Sequence, residues 1–191
     1  MNTDSLNNNC GTGGIKYFYA VDDVIEDIKE GRVLIIADDK SNDNEGVLFQ
    51  AAEKVTSHSM NFFMTHGKGL IYMPAEHQRL EELKIPAFTI SGQHAKNISD
   101  VSMPIKNTSG PTLAMSIDSA KRKGSGASAS DRALTVKAFA DKDSKPQDFI
   151  MPGHVFPLKY HEGGVLARAG HTEAAVDLAR IAGLFAAGII C

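Results

Sequence analysis

Only two cysteines occur in this 191-residue chain, Cys10 and Cys191, and they lie at opposite ends. Two such distant thiols form neither a disulfide framework nor a metal knuckle, and they predict a reduced, cytoplasmic setting. No stretch approaches the roughly 20 apolar residues that a membrane span needs. The polar start, with Asn and Ser, lacks the basic-then-apolar order of a signal peptide, so an unprocessed protein away from membranes is expected. Charge of one sign is scarce as well: 20 Lys and Arg stand against 23 Asp and Glu, a net charge of -3. A sequence-independent grip on nucleic acid needs a basic excess, and this chain has none. Internal repeats and heptads are also missing. What remains, 42% hydrophobic and 23% charged residues, is the mix of one globular domain with a real core.

Residues 1–14 are rich in Asn, Thr and Gly and are expected to form a flexible tail, leaving residues 15–191 as a single domain. Val21, Val24, Ile25 and Ile28 recur at helical spacing before Gly31, which stands where a helix would stop. Val33, Leu34, Ile35 and Ile36 then form a compact β-branched run that delivers Asp38 and Asp39 to a loop. A second strand is expected over 47–52, helix over 56–66 and 76–83, and extended chain over 69–73. Leu113, Met115 and Ile117 predict one half-buried strand, and a helix is expected to begin near Ser130. Residues 91–110 have weak periodicity and predict a long loop. Helices and strands thus alternate in a compact α+β fold, a mixed sheet with surrounding helices.

Three segments could carry chemistry. The loop after the first strand packs Asp38, Asp39, Asp43 and Glu45 into eight residues. If its end is extended, Asp43 and Glu45 share a face, and their hard oxygens suit magnesium or manganese; a solvated acidic turn is the other reading. Arg168-Ala169-Gly170-His171-Thr172-Glu173 precedes an apolar helical pattern, with Thr172 placed to cap the helix. A helix start with free N–H groups, an Arg just before it and a Gly for close approach makes a phosphate cradle, unless it is an ordinary capped helix. Met151-Pro152-Gly153-His154-Val155-Phe156-Pro157 cannot be helical, and its stiff backbone fixes where His154 points. Taken alone, such a His is either a hydrogen-bonded surface residue or an acid–base group.

The acidic Asp-Asp-x4-Asn-Glu-Gly loop, Gly126-Ala127-Ser128-Ala129-Ser130-Asp131-Arg132, Pro152-Gly153-His154-Val155-Phe156-Pro157-Leu158 and Gly163-Gly164-Val165-Leu166-x-Arg168-x-Gly170-His171-Thr172-Glu173 together resemble the 3,4-dihydroxy-2-butanone 4-phosphate synthases in order and spacing. The resemblance runs over residues 21–191. It implies a magnesium-dependent lyase that converts ribulose 5-phosphate to a four-carbon riboflavin precursor and formate. It also implies an α+β homodimer with active sites at the subunit boundary. By that resemblance Asp43 and His171 fall on metal ligands, Asn42, Arg168, Gly170 and Thr172 on substrate contacts, and Asp43 and His154 on catalytic positions.

Departures gather at the same places. Asn42-Asp43 replaces the family's Arg-Glu, and Val47 replaces an Asp. Tyr72 stands for a cysteine, Gly124-Ser125 for paired threonines and Met151 for an Arg. The sequence ends at Cys191, where the family continues with a catalytic glutamate. Two further readings therefore stand beside the family reaction: a diverged paralogue acting on another phosphorylated sugar or carbonyl compound, and a catalytically inactive binding partner.

Overall fold

Val24, Ile25 and Ile28 form the buried side of the first helix, α1 (Val21–Glu30), in the computed structural model, with Ile28 only 1% exposed, whereas Val21 of the expected stripe is 57% exposed. The structure describes residues 19–37, 45–87 and 112–191. The tail expected at 1–14, the loop expected at 91–110, and Asn42 and Asp43 lie outside them. Gly31 ends α1 in the left-handed region, φ +82°, a conformation that glycine adopts without a Cβ penalty.

Strand β1 (Leu34–Ala37) pairs antiparallel with β2 (Gly46–Ala51), Ile36 opposite Val47 and Ala37 opposite Gly46. Both ends of the acidic loop therefore rise from neighbouring positions on one sheet edge. A 3-10 turn leads to α2 (Ser57–Phe62), where Thr56 and Ser59 cap each other: the Ser59 N–H donates to Thr56 Oγ1 at 3.0 Å, and the Thr56 N–H to Ser59 Oγ at 2.9 Å. The single helix expected over 56–66 is instead α2 followed by a π-turn at Phe63–Gly67. Next come β3 (Tyr72–Ala75), α3 (His77–Glu82), the short β4 (Thr112–Leu113) and β5 (Ile117–Ser119), then α4 (Ala129–Ala140). The helix α4 is capped by Ser128, two residues before the start expected from the sequence. The chain closes with β6 (Phe149–Lys159), α5 (Gly164–Ala167), α6 (His171–Ile181) and β7 (Gly188–Ile190).

The strands form one mixed sheet in the order β1-β2-β7-β3-β6-β4, with β5 also on β6. The β3–β6 pair is parallel and the other pairs are antiparallel. Successive residues face opposite sides. Phe49, Leu158 and Ile190 pack under α1 and α6 with Ala175 and Ala179, whereas Met73, Val155 and Ile189 meet Met60 of α2, Phe63 of the π-turn, and Val136 and Phe139 of α4. The result is a helix–sheet–helix sandwich. Each fully buried Phe contributes about 1.5–3 kcal/mol of hydrophobic stabilisation.

One expected strand is two. Thr112 and Leu113 pair with the far end of β6, opposite Lys159 and Leu158, while Ile117 pairs with Val155 and Asp118 with Ile150. Between the last two pairs, residues 151–154 of β6 bulge out without a partner on β5. Gly153 permits this close approach, because a Cβ there would lie 2.1 Å from the Ile117 carbonyl carbon. The stiff segment read from the sequence is thus a strand bulge, and it presents His154.

Candidate active site

At the bulge, His154 is held through both its backbone and its ring. Its backbone N–H donates to Asp118 Oδ1 at 2.9 Å, and ring Nδ1 meets Asp118 Oδ2 at 2.9 Å. Asp118 is 2% exposed and the imidazole 39%. With Nδ1 committed to the carboxylate, the ring proton sits there and Nε2 is the nitrogen left for acid–base work. The buried carboxylate does not stand without cations. Arg122 Nε lies 3.8 Å from Asp118 Oδ2. Arg132 donates to the carbonyls of His154, at 2.6 Å, and Ala127, at 2.9 Å. Burial pulls the Arg132 guanidinium below its ordinary value, and the charge of Asp118 works against that shift. Gly126, φ +98°, is required beside Asp118, since a Cβ would fall 2.0 Å from Oδ2.

The loop that carries Arg122 is fastened from below by Asp131. Its carboxylate accepts from the Lys123 and Gly126 N–H groups at 3.3 and 3.2 Å. Burial alone would raise this carboxyl; hydrogen bonds from Ser128 and from the backbone of Gly126, Lys123 and Gly124 outweigh it and hold the group below the usual carboxylate value.

The second cluster surrounds the start of α6. Gly170 is the N-cap residue, extended at φ -133°, and no side chain caps the helix. The expectation that Thr172 caps it is therefore corrected: Thr172 lies in the first turn and is 4% exposed. The helix starts two residues earlier than a Thr172 cap would place it, and Glu173, fully buried, turns back beneath Gly170 and takes Arg168 Nη1 at 3.1 and 3.2 Å and the His161 N–H at 3.2 Å. Arg168 is accordingly not the lone surface cation of the ordinary-helix reading; its Nη1 is tied to Glu173, leaving Nε and Nη2 for another acceptor. Asp177, one turn further on, accepts from Tyr160 Oη at 3.0 Å, the Val165 N–H at 2.9 Å and Arg180 at 2.7 Å. Hydrogen bonds to Tyr160 and Glu76 raise the pKa of Arg180, so this clamp on the loop before Arg168 is permanently cationic.

His171, Gly170, Ala169 and Ala174 share a cavity of about 190 Å³ with Ile36 and Ala37 of β1. Ala37 is the last described residue before the acidic loop, so the loop that carries Asn42 and Asp43 leaves the sheet at this cavity. His171 Nε2 is buried there without a hydrogen-bond partner among the described residues. An orphaned imidazole nitrogen in such a place fits a metal ligand. Among the described residues alone, no three His, Cys, Asp or Glu side chains converge on a point. The structure thus brings Arg168, Gly170, His171 and Thr172 together at one helix start, and it places His154 in the separate Asp118 cluster.

Four contributors escaped the sequence: Asp118, Glu173, Asp177 and Arg122. The contacts of Asp118 and Asp177 span 36, 17 and 12 residues of chain, so no local spacing announces them. Glu173 stood inside a quoted motif, yet nothing in the pattern shows that it faces inward onto Arg168. In the basic run Lys121-Arg122-Lys123, no local pattern shows that Arg122 faces Asp118.

An α+β sandwich carrying a carboxylate-paired histidine and an unpartnered histidine beside an acidic loop is a scaffold for acid–base chemistry supported by a cation. The chain belongs to the 3,4-dihydroxy-2-butanone 4-phosphate synthase family, whose model matches residues 22–191. It is 46% identical over 91% of its length to riboflavin biosynthesis protein RibBA of Aquifex aeolicus, covering 40% of that protein. It is 43% identical over 90% of its length to 3,4-dihydroxy-2-butanone 4-phosphate synthase of Pseudomonas aeruginosa, covering 43% of that protein. The chain thus spans about two fifths of the length of these relatives. Among solved structures, it resembles a 3,4-dihydroxy-2-butanone 4-phosphate synthase in complex with two magnesium ions, with TM-score 0.79, 37% identity and coverage of 91% of this chain and 74% of that one. The Candida albicans synthase matches with TM-score 0.77 and 37% identity, covering 92% of this chain and 80% of that one. No helix among the described residues is long and apolar enough to cross a membrane.

Proposed function

We propose that this protein converts ribulose 5-phosphate to 3,4-dihydroxy-2-butanone 4-phosphate and formate, as a cytoplasmic homodimer that supplies riboflavin synthesis. The observation that carries this reading is the His154–Asp118 pair: a ring held at its backbone and at Nδ1, with no hydrogen bond at Nε2 among the described residues, is suited to move a proton to and from a fixed point. Asp118 keeps the tautomer and stabilises the ring when it is charged. At the other cluster, Gly170 allows a phosphate to approach the open N–H groups at the start of α6, including that of Thr172, and Arg168 adds its remaining donors. Asn42 would contact the substrate from the acidic loop.

His171 Nε2 and Asp43 would hold a divalent cation, magnesium or manganese. Such a cation, when bound, polarises a ketone and its neighbouring hydroxyl and so acidifies the adjacent carbon-bound proton. His154 is the residue that takes and returns protons, and Asp43 serves catalysis through its place at the cation.

A second reading, a diverged paralogue using another phosphorylated carbonyl compound, draws on Tyr72. Its ring stands edge-on to Phe156, 6.4 Å between centroids, two residues along β6 from His154. It would narrow any site on that face. The primary reading predicts that purified protein consumes ribulose 5-phosphate with added magnesium, that a chelator stops consumption, and that excess magnesium or manganese restores it. Absence of consumption at any cation concentration would contradict it.

A further inference from the structure

We propose that Arg122 is a positioning residue for His154, acting through Asp118. This rests on the proton-transfer role given to His154 above, but not on the identity of the substrate. Asp118 is 2% exposed, and its two oxygens already serve the His154 backbone N–H and ring Nδ1. A buried carboxylate whose nearest partner is an imidazole needs a permanent cation close by, or the arrangement is left with an uncompensated charge. Arg122 supplies it. Its side chain is 24% exposed, and Nε, with no hydrogen-bond partner among the described residues, faces Asp118 Oδ2 at 3.8 Å.

Other charged groups around His154 do different work. Arg132, from α4, also feels the charge of Asp118, but its hydrogen bonds go to the His154 and Ala127 carbonyls, so it fixes backbone while Arg122 is the cation that faces Oδ2. Lys121 turns toward Asp148, 3.7 Å away. Asp131 holds the backbone of Lys123 and Gly126 and thereby sets the loop on which Arg122 rides. Gly126, with no side chain, leaves room beside Asp118 Oδ2. The basic run Lys121-Arg122-Lys123 therefore contains one residue turned inward onto the His154–Asp118 pair.

The test compares Arg122→Met, Arg122→Gln and Arg122→Lys in two measurements. The first is turnover of ribulose 5-phosphate. Arg122→Met and Arg122→Gln are expected to lower kcat about tenfold with KM within about twofold, since a loosened ring misplaces its proton. Arg122→Lys should restore at least about half of kcat by returning the charge. The second needs neither substrate nor metal: the downfield NMR resonance of the His154 Nδ1 proton. Asp118 shelters that proton, and the resonance should broaden into exchange with water in Arg122→Met and reappear in Arg122→Lys. Wild-type kcat with an unchanged resonance in Arg122→Met would overturn the proposal. So would a rise in KM at constant kcat, which would make Arg122 a substrate contact. If the unmutated protein turns nothing over, the functional reading fails, and the resonance alone still decides the role of Arg122.

Discussion

Replacing His154 with glutamine is expected to lower turnover by about 10² to 10⁴, the usual contribution of a positioned acid–base group. Glutamine is the right replacement because its side-chain amide can still donate to Asp118 Oδ2. The buried carboxylate then keeps a partner, and the loss reads proton transfer instead of disruption. The His154 side chain is 39% exposed, so little packing is lost. Stability in denaturant should change by no more than about 1 kcal/mol. Turnover within about threefold of wild type would remove His154 from the reaction.

The second large effect belongs to His171. Its Nε2 is buried at the cavity where the acidic loop leaves β1, and no described group satisfies it. Most buried ring nitrogens in folded proteins have a partner, so a ligand is the natural occupant. Ala37, which lines this cavity, lies opposite Gly46, so the described residues on either side of the acidic loop sit side by side in the sheet. His171→Ala should abolish turnover and lower the affinity for manganese, read by titration, by at least about tenfold. The readout of ion binding does not depend on the reaction. Unchanged manganese affinity would show that the cation, if bound, is held elsewhere.

Residues that act through local pattern were legible in the sequence. The α1 stripe, the strand ending in Ala37, the non-helical Pro-Gly-His segment and the helix after Gly170 all follow from periodicity and from Gly and Pro stereochemistry. The α+β class followed from their alternation. Partners made by the sheet were not legible. Asp118 reaches His154 only because β5 pairs with β6 on both sides of the bulge, a relation that no spacing contains. Likewise Thr172 looked like a cap because its hydroxyl suits one. Glu173 instead buries its carboxylate against Arg168, and the helix starts two residues earlier, with Gly170 at its cap. The split of the expected 113–117 strand is also a matter of long-range partners, since Ala114 bridges Ala87 and the Met115 N–H donates to the Pro86 carbonyl at 2.8 Å before Ile117 pairs with Val155 of β6. The acidic loop was the loudest signal in the sequence, and its Asn42 and Asp43 lie outside the described residues.

The most direct test follows formate by proton NMR while the protein, with magnesium, acts on ribulose 5-phosphate, with His154→Gln and an authentic synthase run in parallel. The account predicts one formate for each sugar phosphate consumed in the unmutated protein and almost none in His154→Gln. Consumption without formate would make this chain an isomerase or another kind of lyase on the same scaffold. No consumption, with the authentic synthase active, would contradict the assignment of the reaction altogether.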